Sequence, residues 1–421
     1  MRKFARVGLY AAAALLVAAQ AARADSSSAL SQQENFRASG GSLNTPTIPQ
    51  TGPYAATIRK NLTHITLPPG FHIALYALVP GAREIAVGPQ GVAVFVGTMK
   101  SNVYAVFDHG HTGVANDVQP FAPNIHFVMP NGVCFSKDGF LYVVERNRVL
   151  EFGAAEFFAS SADVAVNTVV PEGQLIPKKY ESFNHTARYC RIGPDNKLYT
   201  TVGQPYNLPP PDLIDDLQAH GLGAIIRMNR DGTDREIYAL GIRNSVGMDF
   251  NPTDHTLWFD DNQVDGMGDD IPPGELNRAT TIGENFGFPW YGGGHTRTEP
   301  YKTQTPPAGV VFPQIESQAH AAPLGLTFYT GQMFPAKYYG AIFSAQHGSW
   351  NRTVPVGARI MVTFLKKDGT ADRQIPFAYG WLNQNGQYLG RPVDVAQMAD
   401  GSLLVSDDFA GALYRIWYDG K

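Results

Sequence analysis

From Leu62 to Tyr418 the chain alternates short apolar runs with polar or glycine-containing turns. One unit recurs: a turn, then an apolar strand. It is seen in Gly88–Gly97 (GPQGVAVFVG) and again in Ser136–Glu145 (SKDGFLYVVE). Further copies are Gly193–Val202 (GPDNKLYTTV) and Asn251–Asp260 (NPTDHTLWFD). Tyr338–Ser344 is a degenerate copy, and Ala399–Asp407 the last clear one. Apolar strands often flank the unit, as at Val133–Phe135 before it and Asn102–Phe107 or Ala412–Trp417 after it. Each unit predicts a small antiparallel sheet that cannot bury both faces alone. Stacking such sheets radially buries them, which predicts an all-β, six-bladed β-propeller. A pair of β-sandwiches is the alternative. The stretches 205–222 and 263–337 break the rhythm and predict insertions, long loops gathered over one mouth of the channel, where ligands bind.

The two ends of the chain differ in texture. Arg2, Lys3 and Arg6 precede the apolar run Val7–Ala19, and Ala22-Arg23-Ala24 is a small-x-small cleavage site. This predicts a secretory signal over 1–24. The apolar run is too short to span a membrane. Residues 25–60 are rich in Ser, Gln, Asn, Thr and Pro and predict a loose leader. Residues 61–421 then form a single propeller. Glycine (43), proline (30) and Phe plus Tyr are abundant, which suits turns and aromatic strands rather than helices. The net charge of −4 shows no dominant basic patch, so nucleic acid is not expected as a partner. The expected location is the periplasm or outside the cell, with no transmembrane segment after signal cleavage. There an oxidising medium permits a disulfide between Cys134 and Cys190. Their spacing leaves equally open two separate buried thiols.

Phosphate-cradling and nucleophile-elbow motifs are absent. Four polar constellations remain. Asn184-His185 stands at the entrance of the apolar run 187–192, where a histidine can serve as a base near neutral pH, or simply cap a turn. Gly241-Ile-Arg243-Asn244-Ser-Val-Gly247 offers a forked cation beside an amide, suited to a carboxylated or quinonoid ligand. The loop from Asp260 to Asp270, followed by Glu275 and Asn277, is dense in hard oxygen donors and suits Ca²⁺, without the spacing of an EF-hand. Ala345-Gln-His347-Gly-Ser-Trp350-Asn351-Arg352 and the later Gly390-Arg391-Pro-Val-Asp394 bring Arg, His and Trp to strand ends, where burial without a partner is costly.

Taken together and in order, these constellations resemble the sorbosone and aldose dehydrogenase family that uses pyrroloquinoline quinone, which is related to soluble quinoprotein glucose dehydrogenase. The resemblance runs from Leu67 to Tyr418. It is carried by Met129-Pro-Asn-Gly-Val133, Ile225-Ile-Arg-Met-Asn229, Gly241–Gly247, Gly268–Asn277, Gln346–Arg352 and Gly390–Asp394. It implies a six-bladed propeller that oxidises a sugar or sugar-derived aldehyde by hydride transfer to the quinone, with Ca²⁺ assistance. An unidentified cytochrome or quinone would be the electron acceptor. It implies that His185 is the base, and that Arg243, Asn244 and Arg391 hold the cofactor. His347 or Arg352 would replace a lysine that has no counterpart here. Calcium would sit in the acidic loop among Gln263, Val264, Asp265, Asp269 and Asp270, in part on main-chain carbonyls. Gln204 stands where the glucose enzyme has an Asp pairing the base, which implies a less firmly oriented His185. The alternatives are a calcium-dependent propeller lactonase or hydrolase, and a binding propeller without catalysis.

Overall fold

The computed structural model describes residues 35–41 and 46–421. The expected signal segment lies outside these residues. The strands form six separate sheets. Their inner strands are Ala82–Val87, Gly132–Phe135, Cys190–Ile192, Gly247–Phe250, Pro323–Phe328 and Pro392–Gln397, which number blades 1 to 6. Each packs against the next around a ring, and blade 6 closes on blade 1. The closure is a splice of the two ends. The early strand Phe71–Leu78 pairs antiparallel with the final strand Ala412–Tyr418 and completes blade 6. This is the six-bladed propeller read from the repeats, and each repeat copy falls on the first hairpin of a blade. Among the described residues, no helix is long and apolar enough to cross a membrane.

Alternating side chains explain the stacking. In the strand Leu257–Asp261 of blade 4, Leu257 and Phe259 face blade 3, while Trp258 faces blade 5. Every interface between neighbouring blades carries its own apolar cluster, so burial is spread around the ring. The channel below the mouth is plugged by charge. Glu84 of blade 1 accepts the main-chain N–H groups of Val133 and Cys190 (3.1 and 3.2 Å) and pairs with Arg191 at 3.0 Å. Asp394 of blade 6 accepts the Ile85 N–H (2.8 Å) and the Tyr189 hydroxyl (3.0 Å). These buried, mutually satisfied groups tie the inner strands of four blades. Cys134 and Cys190 form a disulfide, with Cα atoms 5.7 Å apart, which joins the inner strands of blades 2 and 3. That settles the alternatives the spacing left open.

The described part of the expected leader is packed. Arg37–Ala38 adds a fifth strand to blade 2, and Pro53–Leu62 is a helix whose Ala55, Ile58 and Leu62 enter the apolar cluster between blades 5 and 6. Sparse apolar residues suffice here because three of them share one helical face.

Candidate functional site

The loops preceding the inner strands of blades 3, 4 and 5, the loops between the second and third strands of blades 4 and 5, and Arg83 and Met99 of blade 1 converge on a cavity of about 290 Å³. That is near the lower end of the ~300–1,000 Å³ typical of small-molecule sites. Its floor is apolar: Met99, Ala187, Val246 and Leu324, from four blades, close the neck of the channel together with Val393. Its walls are polar and include His185, Arg243, Asn244, Gln263, His347 and Arg83. A larger cleft of about 890 Å³ runs along blade 2 beside Phe36, Phe157 and Phe158. No histidine lines it, so the chemistry points to the mouth.

His185 sits in a left-handed conformation (φ 53°) that turns its ring toward the cavity. Its Nδ1 lies 2.5 Å from the main-chain oxygen of Gln204. A carbonyl only accepts, so Nδ1 carries the proton and Nε2 keeps its lone pair. Burial, and then the positive charge of Arg243, push the ring pKa down to about 4. The ring is therefore neutral across physiological pH. The orientation that Gln204 was expected to weaken is supplied by its main chain instead. Arg188 donates to the His185 carbonyl at 2.9 Å and holds the loop from below. Gly203 makes the approach possible: a Cβ there would stand 2.7 Å from both His185 Cβ and Asn244 Oδ1.

Asn244 donates its main-chain N–H to Asp261 at 2.7 Å, and its side-chain oxygen is buried with no partner. Such an orphan acceptor in a cavity wall is costly unless a ligand satisfies it. Arg243 is differently employed. Its guanidinium donates to Asn207 O (3.2 Å), Asn207 Oδ1 (2.7 Å), Asn262 O (3.1 Å) and Asp265 Oδ2 (2.8 Å). It shapes the cavity by tying three loops together. His347 lines the cavity, and its Nε2 meets Asp408 Oδ1 at 2.8 Å. Burial holds its pKa down in spite of Asp408.

Two expected cofactor residues lie behind the wall. Arg391 donates to the carbonyls of His347 (3.1 Å), Gly348 (2.5 Å) and Ser349 (3.3 Å), and lies over the Tyr388 ring. Arg352 donates to Asp269 O and Asp270 Oδ1 and pins the acidic loop. Neither lines the cavity.

The acidic loop is not gathered around a cation. Asp265 gives one oxygen to Arg243 and the other to Asn351 (2.7 Å). Asp269 accepts the Thr353 N–H, and Asp270 pairs with Arg352. Val264 is buried. Among the described residues, no group of three or more His, Cys, Asp or Glu is placed to hold a metal. The carboxylate part of the expected ligand set therefore does not fit. What remains is Gln263, whose Oε1 is buried and unpartnered while its Nε2 donates to Asp261 and Glu275. Burial and the charge of Asp261 push Glu275 up in pKa, and burial pushes Asp260 up too.

The sequence reading missed Arg83 and Asp408. Arg83 is the first cation of an inner strand, and no motif marks it. Asp408 looks like one more turn aspartate.

The fold and site define a six-bladed propeller with one small polar cavity at its mouth, served by a neutral, oriented histidine. The family model for glucose/sorbosone dehydrogenases matches residues 174–415, and the chain belongs to that family. It is 39% identical over 248 residues to an uncharacterized protein of Borreliella burgdorferi, across 58% of this chain, and it spans 63% of that relative's length. The fold is shared with a Trichoderma reesei enzyme of carbohydrate-active family AA12, solved with calcium (TM-score 0.69, 20% identity, 85% of this chain and 97% of the other). It is shared with the PQQ domain of a pyranose dehydrogenase from Coprinopsis cinerea (0.66, 17%, 84% and 97%). It is also shared with the soluble aldose sugar dehydrogenase of Escherichia coli in its apo form (0.59, 17%, 83% and 100%).

Proposed function

We propose that the protein is a periplasmic quinoprotein dehydrogenase that oxidises a sugar or sugar-derived aldehyde in the mouth cavity. The observation that carries this reading is His185: a ring held neutral by burial, with Nδ1–H fixed on a carbonyl and Nε2 available. That is the state in which a histidine takes a proton from a substrate hydroxyl. The buried, unpartnered Asn244 oxygen beside it supports a ligand that supplies a donor or a cation there. Bound pyrroloquinoline quinone would supply a two-electron acceptor, and Ca²⁺ a Lewis acid. On this reading the cofactor rests on the apolar floor of Met99, Ala187, Val246 and Leu324, with Asn244 and His347 at its edge. Of the expected calcium residues, Gln263 offers an unpartnered side-chain oxygen. Arg243 and Arg391 hold the loops that shape this seat rather than the ligand. Electrons would leave to a cytochrome or quinone, and the export signal expected over residues 1–24 supports a periplasmic or secreted location.

The test is a dye-linked oxidation assay of the mature protein, with and without the quinone and Ca²⁺, over aldoses and sugar aldehydes. Activity dependent on the quinone is expected. The variant His185→Ala should bind the quinone and lose roughly 10²-fold or more in turnover. Wild-type turnover in that variant would remove the base from this reading.

A further inference from the structure

Phe157 and Phe158 stand on the loop that joins the third and fourth strands of blade 2, and they are 65% and 55% exposed. That loop does the reverse of what burial favours. Its small residues Ala155 and Ala159 sit in the apolar cluster between blades 1 and 2, while its two largest side chains are left in solvent. The loop is held in shape by the Phe157 N–H on the Ala154 carbonyl (3.0 Å) and the Ser161 N–H on the Phe158 carbonyl (2.8 Å). The two rings wall a cleft of about 890 Å³, about three times the mouth cavity. Phe36 and Phe140 add a second aromatic pair, with centroids 5.8 Å apart. The cleft lies at the turns between the first two strands of blades 1 and 2, at the end of the ring away from the mouth, and shares no lining residue with the mouth cavity.

The free charge around this cleft has one sign. Its carboxylates are spent on the protein itself. Glu156 accepts the main-chain N–H groups of Gln90 (3.0 Å) and Val92 (2.6 Å). Asp163 accepts the Ser39 hydroxyl and the Gly40 N–H, and Asp138 pairs with Arg230 at 2.9 Å. Arg37, Lys137 and Gln90 are exposed, and among the described residues their side chains meet no hydrogen-bond or ion-pair partner. The groups left open are two cations and an amide around four phenyl rings. A pyranose presents axial C–H groups on its faces, and their partial positive charge meets the negative face of a phenyl ring. A uronate adds the carboxylate that Arg37 and Lys137 are free to take. The concave shape suits a short chain of sugars, whereas a flat bilayer surface cannot enter it.

We propose that this cleft is a non-catalytic binding site for an acidic oligosaccharide built of uronate units. It goes beyond the dehydrogenase reading: it tethers the enzyme to an acidic glycan at the end opposite the mouth, and its test needs neither quinone nor turnover.

The mature chain is titrated in a calorimeter with tetragalacturonate and with neutral cellotetraose. Wild type is compared with Phe157→Ala/Phe158→Ala and with Arg37→Gln/Lys137→Gln; all four side chains are exposed, so melting temperatures should stay the same. Wild type should bind tetragalacturonate more tightly than cellotetraose, and added salt should weaken only the acidic ligand. Loss of both rings should weaken both ligands by roughly 10- to 100-fold. Loss of both cations should weaken tetragalacturonate by about 10-fold and leave cellotetraose unchanged. Binding at the mouth is separated by His185→Ala, which should hold tetragalacturonate as wild type does. A wild type that does not bind tetragalacturonate would overturn the site, and so would equal binding by wild type and both double variants. A preference for cellotetraose would overturn the acidic ligand. Capture by phosphatidylglycerol vesicles without binding of the free oligosaccharide would overturn the glycan and make the patch a membrane contact.

Discussion

The protonation state of His185 is measurable without turnover. Burial lowers its pKa first, and Arg243 second, to about 4 against the ordinary 6.5. With those two values, only about 0.3% of the rings carry a proton at pH 6.5. The assay is an NMR titration of the His185 ring carbons from pH 3 to 8, assigned by difference with His185→Ala. The perturbation is Arg243→Gln, which removes the neighbouring charge and keeps an amide for the Asn207 and Asn262 contacts. The pKa should rise in that variant and stay below 6.5, because burial is the larger cause. The linkage has a definite sign. The unfolded ring binds a proton below about pH 6.5 and the folded ring only below about 4, so His185 costs stability as pH falls through that window. The acid limb of kcat/KM for the free enzyme should lie near pH 4 rather than 6.5. A wild-type titration between pH 6 and 7, or a fall in pKa on removing Arg243, would refute the electrostatic account of the base.

Three further outcomes are expected. Gly203→Ala puts a methyl 2.7 Å from His185 Cβ and Asn244 Oδ1, so those groups must give way by about 0.7 Å; kcat/KM should fall roughly 10- to 100-fold, and unchanged kinetics would show that their approach does not matter. Replacing both Cys134 and Cys190 by Ala frees a 56-residue separation and should cost about 4 kcal/mol in urea unfolding, with reductant having the same effect on the wild type. Chelation should lower dye-linked activity reversibly, and Gln263→Leu should raise the calcium concentration needed to restore it; full activity in excess chelator would remove the metal from the reading.

The blade count was legible because a propeller repeats its hydrophobic pattern, and the turn of each copy has its own Gly, Asp or Asn signature. Gly88–Gly97 and Asn251–Asp260 share little sequence beyond that pattern, yet both form a first hairpin. His185, Asn244 and His347 were legible as polar residues where strands meet turns and Gln263 as part of the acidic loop, and the structure brings all four to one cavity. Arg391 and Arg352 share that signature and face elsewhere, because a strand-end arginine reaches carbonyls of the next loop as readily as a ligand.

The one-dimensional pattern determined the all-β class, the six sheets and the polar loops over the mouth, since alternating burial is a local property that each strand records in its own residues. The tertiary structure decided what the charges do. Whether Asp265 is a metal ligand or the partner of Arg243 and Asn351 depends on groups 22 and 86 positions away, and Arg83 meets Asp408 across 325 positions only because the ring closes. Electrostatic and hydrogen-bond roles follow distance in space, and that distance is set by the closure of blade 6 on blade 1.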